Sequence, residues 1–156
     1  MPAATQYASI FRSRLFSGQV VIVTGGGSGL GRCTAHELAS LGAKVALVGR
    51  KPERLDRVRA EIAAGGGEAR CYPCDIREEE VVKRTVAKIL ADYGRIDALV
   101  NNAGGQFAAL LESISAKGWE AVVRTNLTGG FLVARECYTQ WMKRAGGGAI
   151  VNIIAD

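Results

Sequence analysis

The feature that most constrains this chain is "VVIVTGGGSGLGR", Val20 to Arg32, a β-branched run passing without a break into five glycines within seven positions, Gly25 to Gly31. A continuous run of this kind suits a parallel strand covered on both faces. Glycines directly after it allow positive φ, let the backbone approach a ligand closely, and let a following helix pack tightly on the strand. A simple turn accounts for one or two such glycines, not five. Leu30, Thr34, Leu38 and Leu41 then recur at helical spacing, and Gly42 ends the predicted helix. Strand, tight turn and helix N-terminus is the context in which unpaired amides and the helix dipole face an anion.

The spacing narrows the anion. Gly25, Gly29 and Gly31 form G-x-x-x-G-x-G, whereas G-x-G-x-x-G cannot be laid on these residues. No Lys-Ser or Lys-Thr follows the glycines, which argues against a P-loop and favours a dinucleotide over a nucleoside triphosphate.

Beyond the loop the hydrophobic period alternates between two and 3.6. Lys44 to Val48 reads as a second strand. Pro52 opens a second helix with Leu55, Val58 and Ile62 on its inner face, closed by Gly65 to Gly67. Glu68 to Tyr72 reads as a third strand, and Val82, Val86, Ile89 and Tyr93 as a third helix stopped by Gly94. Ala98 to Asn101 is a fourth strand; Ser115 to Lys143 reads as one long helix; Ala149 to Ile154 is a fifth, buried strand. The prediction is an α/β fold, a doubly wound parallel sheet of the Rossmann type in the order 3-2-1-4-5. Residues 1–17 form a lead-in and 18–156 the dinucleotide-binding domain. The apolar final run predicts further chain beyond it, because a bare apolar edge strand is a liability.

The second strand should end near the adenine ribose, where an acidic residue would select NAD. Here it runs into Gly49-Arg50-Lys51. Two cations and no carboxylate favour NADP; the alternative is that Arg50 and Lys51 merely begin a helix. The net charge of +5 does not imply nucleic acid, since the basic residues are scattered and interleaved with acids. No stretch is long and apolar enough to span a bilayer. Cys71-Tyr-Pro-Cys74 has redox or zinc spacing but no second pair, and His36 is the single histidine, so buried thiols are the better reading. Without a secretory signal, a cytoplasmic location is the expectation.

Four motifs together resemble the short-chain dehydrogenase/reductase family: Thr24 to Gly31, Cys74-Asp75-Ile76, Asn101-Asn102-Ala103-Gly104 and Asn126-Leu127-Thr128-Gly129. The resemblance implies that Thr24, Gly25, Ser28, Gly29, Leu30 and Gly31 surround the cofactor phosphates and that Arg50 holds the 2'-phosphate of NADP. It also implies that Asp75 and Ile76 flank the adenine, and that Asn102, Ala103 and Gly104 line the nicotinamide ribose. Asn126 would be the catalytic asparagine, holding a water behind a catalytic lysine, with the helix bending there. Read from the residues alone, Asp75 is also compatible with a D-x-x-E helix cap ending at Glu78, and Asn102 with a turn former.

Within the family, "NNAGGQF", "KGWEAVVRTNLTGGF" and "WMKRAGGGAIVNII" are most similar to the peroxisomal trans-2-enoyl-CoA reductases. That likeness implies an acyl-CoA-like substrate, a homotetramer built on the long helix, and a peroxisomal location if the source is eukaryotic. Close alternatives are a 2,4-dienoyl-CoA or a carbonyl reductase. The family's Ser and Tyr-x-x-x-Lys do not occur in these residues: Tyr138 and Lys143 are five apart and precede the fifth strand. Two expectations follow: the front part of a full reductase, or a non-catalytic NADP-binding protein.

Overall fold

The computed structural model describes residues 9–154. Five strands, β1 (Val20–Thr24), β2 (Lys44–Gly49), β3 (Glu68–Pro73), β4 (Ala98–Asn101) and β5 (Ala149–Asn152), form one parallel sheet in the order β3-β2-β1-β4-β5. Helices α1 (Gly29–Ser40), α2 (Pro52–Ala64) and α3 (Glu79–Tyr93) connect the first four strands. The fold is the doubly wound sheet expected from the alternating periods.

Alternation along the strands sorts the core into two layers. Val21, Val23, Val45 and Leu47 join Leu55, Val58 and Ile62 of α2 on one face. Ile22, Ala46 and Val48 join Val82, Val86 and Ile89 of α3 on the other. Lys51 is the N-cap of α2 with Pro52 at its first position, and Gly94 closes α3 in the left-handed conformation at φ 76°.

Helix α1 keeps only the end of the expected stripe, since Leu41 at its C-cap is buried. Its buried residues are Gly31, Ala35 and Ala39, while Leu30 is 68% exposed and Leu38 only partly covered beside Phe16. The helix lies so near the sheet that small residues alone fit beneath it: a Cβ on Gly31 would overlap the Gly25 carbonyl oxygen and Asn102 Nδ2.

The long helix is interrupted, the first time at Asn126, where the resemblance implies a bend. Ser115 caps α4 (Ala116–Val123) by accepting from the Gly118 amide at 3.1 Å. A π-helical segment, Arg124–Gly129, leads into α5 (Gly130–Cys137); a second, Tyr138–Met142, leads into α6 (Lys143–Ala145). The first interruption coincides with close approach to the segment after β3, where a Cβ on Gly129 would lie 2.7 Å from the Ile76 side chain. π-Segments widen a helix locally and recur at functional positions.

Strand β5 pairs in parallel register with β4, Ala98 with Ala149 through Asn101 with Asn152. It is the edge strand with the bare apolar faces expected of it in these residues: Ile150 is 40% and Val151 49% exposed. Among the described residues, no helix is long and apolar enough to cross a membrane.

Candidate functional site

Strands β1 and β4 lie side by side, so the segments leaving their C-terminal ends meet. Thr24 makes the joint. Its fully buried hydroxyl accepts from the backbone amides of Asn102 and Ala103, each at 3.0 Å, and donates to the Val100 carbonyl at 3.4 Å. The Asn102 side-chain amide donates back to the Thr24 carbonyl at 3.0 Å. The two segments then press so close that a Cβ on Gly25, at φ 67°, would stand 2.8 Å from Asn102 Nδ2.

A cleft of about 290 Å³ opens beside this joint. Gly25, Gly27 and Ser28 form one wall; Arg50, Lys51 and Arg54 come from the end of β2 and the start of α2. Cys74 to Arg77 follow β3, and Asn102, Ala103 and Gly104 follow β4, with Thr125 opposite. Ser28 is the N-cap of α1 but makes no side-chain capping bond, and that helix has no acid in its first turn. Its amino end thus carries an uncompensated partial positive charge.

Four cations and one carboxylate line the cleft. The Arg77 guanidinium bonds Asp75, with Nε 2.9 and 3.1 Å from its two oxygens, and the Arg77 amide donates to Oδ1 at 3.1 Å. This pairing, with a smaller contribution from Arg50, holds the Asp75 carboxyl below its ordinary range. Asp75 is therefore not the start of a capping box: the N-cap of α3 is Glu78, without a side-chain bond, and the helix begins at Glu79. Ile76 is buried against Gly129.

Asn126 sits in the first π-segment and spans to the loop after β4. Its Oδ1 accepts from the Gly105 amide at 2.9 Å, and its Nδ2 donates to the Gly105 carbonyl at 3.0 Å. Both ends of the side chain are engaged with a single peptide unit. Asn126→Ala is expected to loosen this loop, read as faster amide exchange at Gly105, with little loss of global stability because the pair is exposed.

The expected residues divide into two groups. Gly25, Ser28, Arg50, Asp75, Ile76, Asn102, Ala103 and Gly104 line the cleft; Thr24, Gly29, Leu30, Gly31 and Asn126 do not, and Thr24, Gly31 and Asn126 shape it from behind. Arg54 and Arg77 were not singled out by sequence. Arg54 follows Lys51 by one helical turn, a spacing that would have revealed it; Arg77 shows itself only through its bond to Asp75. Burial raises the Cys74 thiol and pushes Cys71 up to about 11, so neither is poised as a thiolate.

The family model for short chain dehydrogenase matches residues 19–156. The chain belongs to that family. This short-chain dehydrogenase is 34% identical over 137 residues to a protein named probable 2,4-dienoyl-CoA reductase in Bacillus subtilis, covering 88% of this chain and 54% of the relative. Among solved structures, it is similar to a citronellol catabolism dehydrogenase of Pseudomonas aeruginosa, at 61% identity and TM-score 0.92, covering 96% of this chain and 61% of that one. It is also similar to a metagenomic short-chain oxidoreductase in complex with NADP, at 39% identity and TM-score 0.84, covering 90% and 64%. The chain spans about half the length of the curated relatives it matches.

Proposed function

We propose that this chain supplies the cofactor-binding part of an NADPH-dependent oxidoreductase acting on a 2-enoyl thioester. The observation that carries the cofactor is the cationic end of β2: Arg50, Lys51 and Arg54 line the cleft, and its single carboxylate, Asp75, is already paired. The glycine wall fits a pyrophosphate, since Gly25 holds a positive φ and the open amino end of α1 attracts anions. Arg50 would hold the 2'-phosphate, Ser28 the diphosphate, and Asp75 and Ile76 the adenine. Asn102, Ala103 and Gly104 would line the nicotinamide ribose. NADPH bound there would supply a hydride to the β-carbon of the enoyl thioester while the α-carbon takes up a proton, giving NADP and the saturated thioester. The residues of this chain bind and orient; Asn126 fixes the loop that would border the nicotinamide.

The cofactor is tested by fluorescence titration. NADPH is expected to bind at least about tenfold more tightly than NADH, and Arg50→Gln to cost about tenfold for NADPH and under about twofold for NADH. Equal affinities in the parent chain would sink the preference.

The enoyl thioester rests on the likeness of "NNAGGQF" and its companion segments, together with the name of the Bacillus relative. A second reading, oxidation or reduction of an acyclic terpenoid, is favoured by the 61% identity to the citronellol catabolism dehydrogenase. NADPH oxidation with crotonyl-CoA, a dienoyl-CoA and a simple ketone, and NADP reduction with citronellol, separate the readings. Binding without turnover on all four would favour a non-catalytic NADP-binding protein. A homotetramer is supported by the exposed apolar side chains Trp119, Leu127, Phe131 and Tyr138 along α4 to α6. Light scattering giving a monomer would remove that part.

A further inference from the structure

Resting on the reading that the cleft takes NADP, we infer that Arg77 is a positioning residue for cofactor specificity: it occupies the Asp75 carboxylate and so leaves Arg50 available to a 2'-phosphate. The backbone sets up the conflict that Arg77 resolves. Gly49 and Pro73 are register partners on β2 and β3, and the Cys74 amide donates to the Gly49 carbonyl at 2.9 Å. Arg50 and Asp75 are the next residues along two adjacent chains, and both line the cleft.

A bare carboxylate there would do two things. It would repel a dianionic phosphate, and it would draw the nearest guanidinium to itself. Asp75 is the one carboxylate among the residues lining the cleft, so the outcome depends on what covers it. Arg77 does so from two positions along the chain, with its side-chain Nε on both oxygens and its own amide on Oδ1. The pair is partly shielded, with side-chain exposures of 33% for Arg77 and 27% for Asp75, so its charges are screened less than those of a free surface pair. Meanwhile Arg50, Lys51 and Arg54 form no salt bridge among the described residues. Their charge is left available to an anion in the cleft. Asp75 stays ionised and can still accept from an adenine amino group on a lone pair that Arg77 does not use.

The test titrates NADPH and NADH into the parent chain, Arg77→Met, Arg77→Lys, Asp75→Asn, and the double variant Asp75→Asn with Arg77→Met. The readout is the ratio of the two dissociation constants. Any loss of folded fraction or of adenine contact weakens both ligands alike and cancels in that ratio. Arg77→Met is expected to reduce the preference for NADPH about tenfold, Arg77→Lys to retain part of it, and the double variant to recover it. Asp75→Asn alone should keep or increase it. An unchanged ratio in Arg77→Met, or a double variant as poor as the single, overturns the inference while leaving the NADP reading intact. A parent chain that binds neither dinucleotide overturns the NADP reading itself, and the inference with it.

Discussion

Gly31→Ala is expected to lower the melting temperature by about 6–12 °C and to remove measurable NADPH binding. The added methyl would overlap the Gly25 carbonyl oxygen and Asn102 Nδ2. The first is backbone and the second is held by its bond to Thr24, so neither yields without opening the joint between β1 and β4. Overpacking of this kind costs on the order of 3 kcal/mol, and each kcal/mol moves the melting point of a domain this size by about 2–4 °C. Gly147→Ala is the control, since a Cβ there meets nothing within 4 Å. If thermal scans show the two variants alike, the tight packing of α1 on the sheet is not what holds the loop.

Thr24→Val should destabilise the chain by about 3 kcal/mol, measured as a lower urea midpoint at an unchanged slope. The change nearly preserves shape and deletes one hydroxyl, but that hydroxyl accepts from two backbone amides in a fully buried position. Leaving both donors without an acceptor costs more than the single bond lost to the Val100 carbonyl. Thr24→Ser retains the oxygen and should recover most of the loss. A Thr24→Val midpoint within experimental error of the parent would show that water reaches these amides. NADPH affinity should fall with Thr24→Val even where the protein is folded, because Asn102 and Ala103 line the cleft.

These two residues mark where sequence reading succeeds and where it stops. The strands and their order were legible because β-branched runs, glycine stops and Pro52 are local signals, and parallel connection rules leave few topologies. The glycine loop was legible for the same reason: its spacing and its neighbours occur in one short stretch. The face of α1 was not. A leucine stripe at helical spacing outranks Gly31, Ala35 and Ala39 in any hydrophobic count, yet distance to the sheet, a tertiary property, decides which face fits. A bend at Asn126 was implied by the resemblance, whereas the Gly105 peptide that engages its side chain was not legible, being twenty-one positions away. Thr24 was placed near the phosphates because its motif is contiguous with the glycines, but that its hydroxyl braces residues 78 and 79 positions on was not legible. Arg50 was legible from charge at a strand end, whereas Arg77 emerged from geometry.

The brace between Thr24 and the end of β4 has a consequence for the order in which the chain acquires structure. β1 leaves the ribosome well before one of its two neighbours, β4, which follows only after two further strands and three helices; Val20 itself bonds Asp97, 77 positions later, at 2.8 Å. At ordinary elongation rates that separation corresponds to roughly 4–15 s of synthesis. During that interval β1, β2 and β3 can already pair through adjacent crossovers, presenting a half-sheet whose inner edge is the most apolar strand of the molecule. The glycine loop would exist before the surface that shapes it. Cofactor affinity would then arrive late and abruptly, when Asn102 and Ala103 close on the Thr24 hydroxyl, so that a nascent chain halted before Asn102 would fold in part and bind nothing.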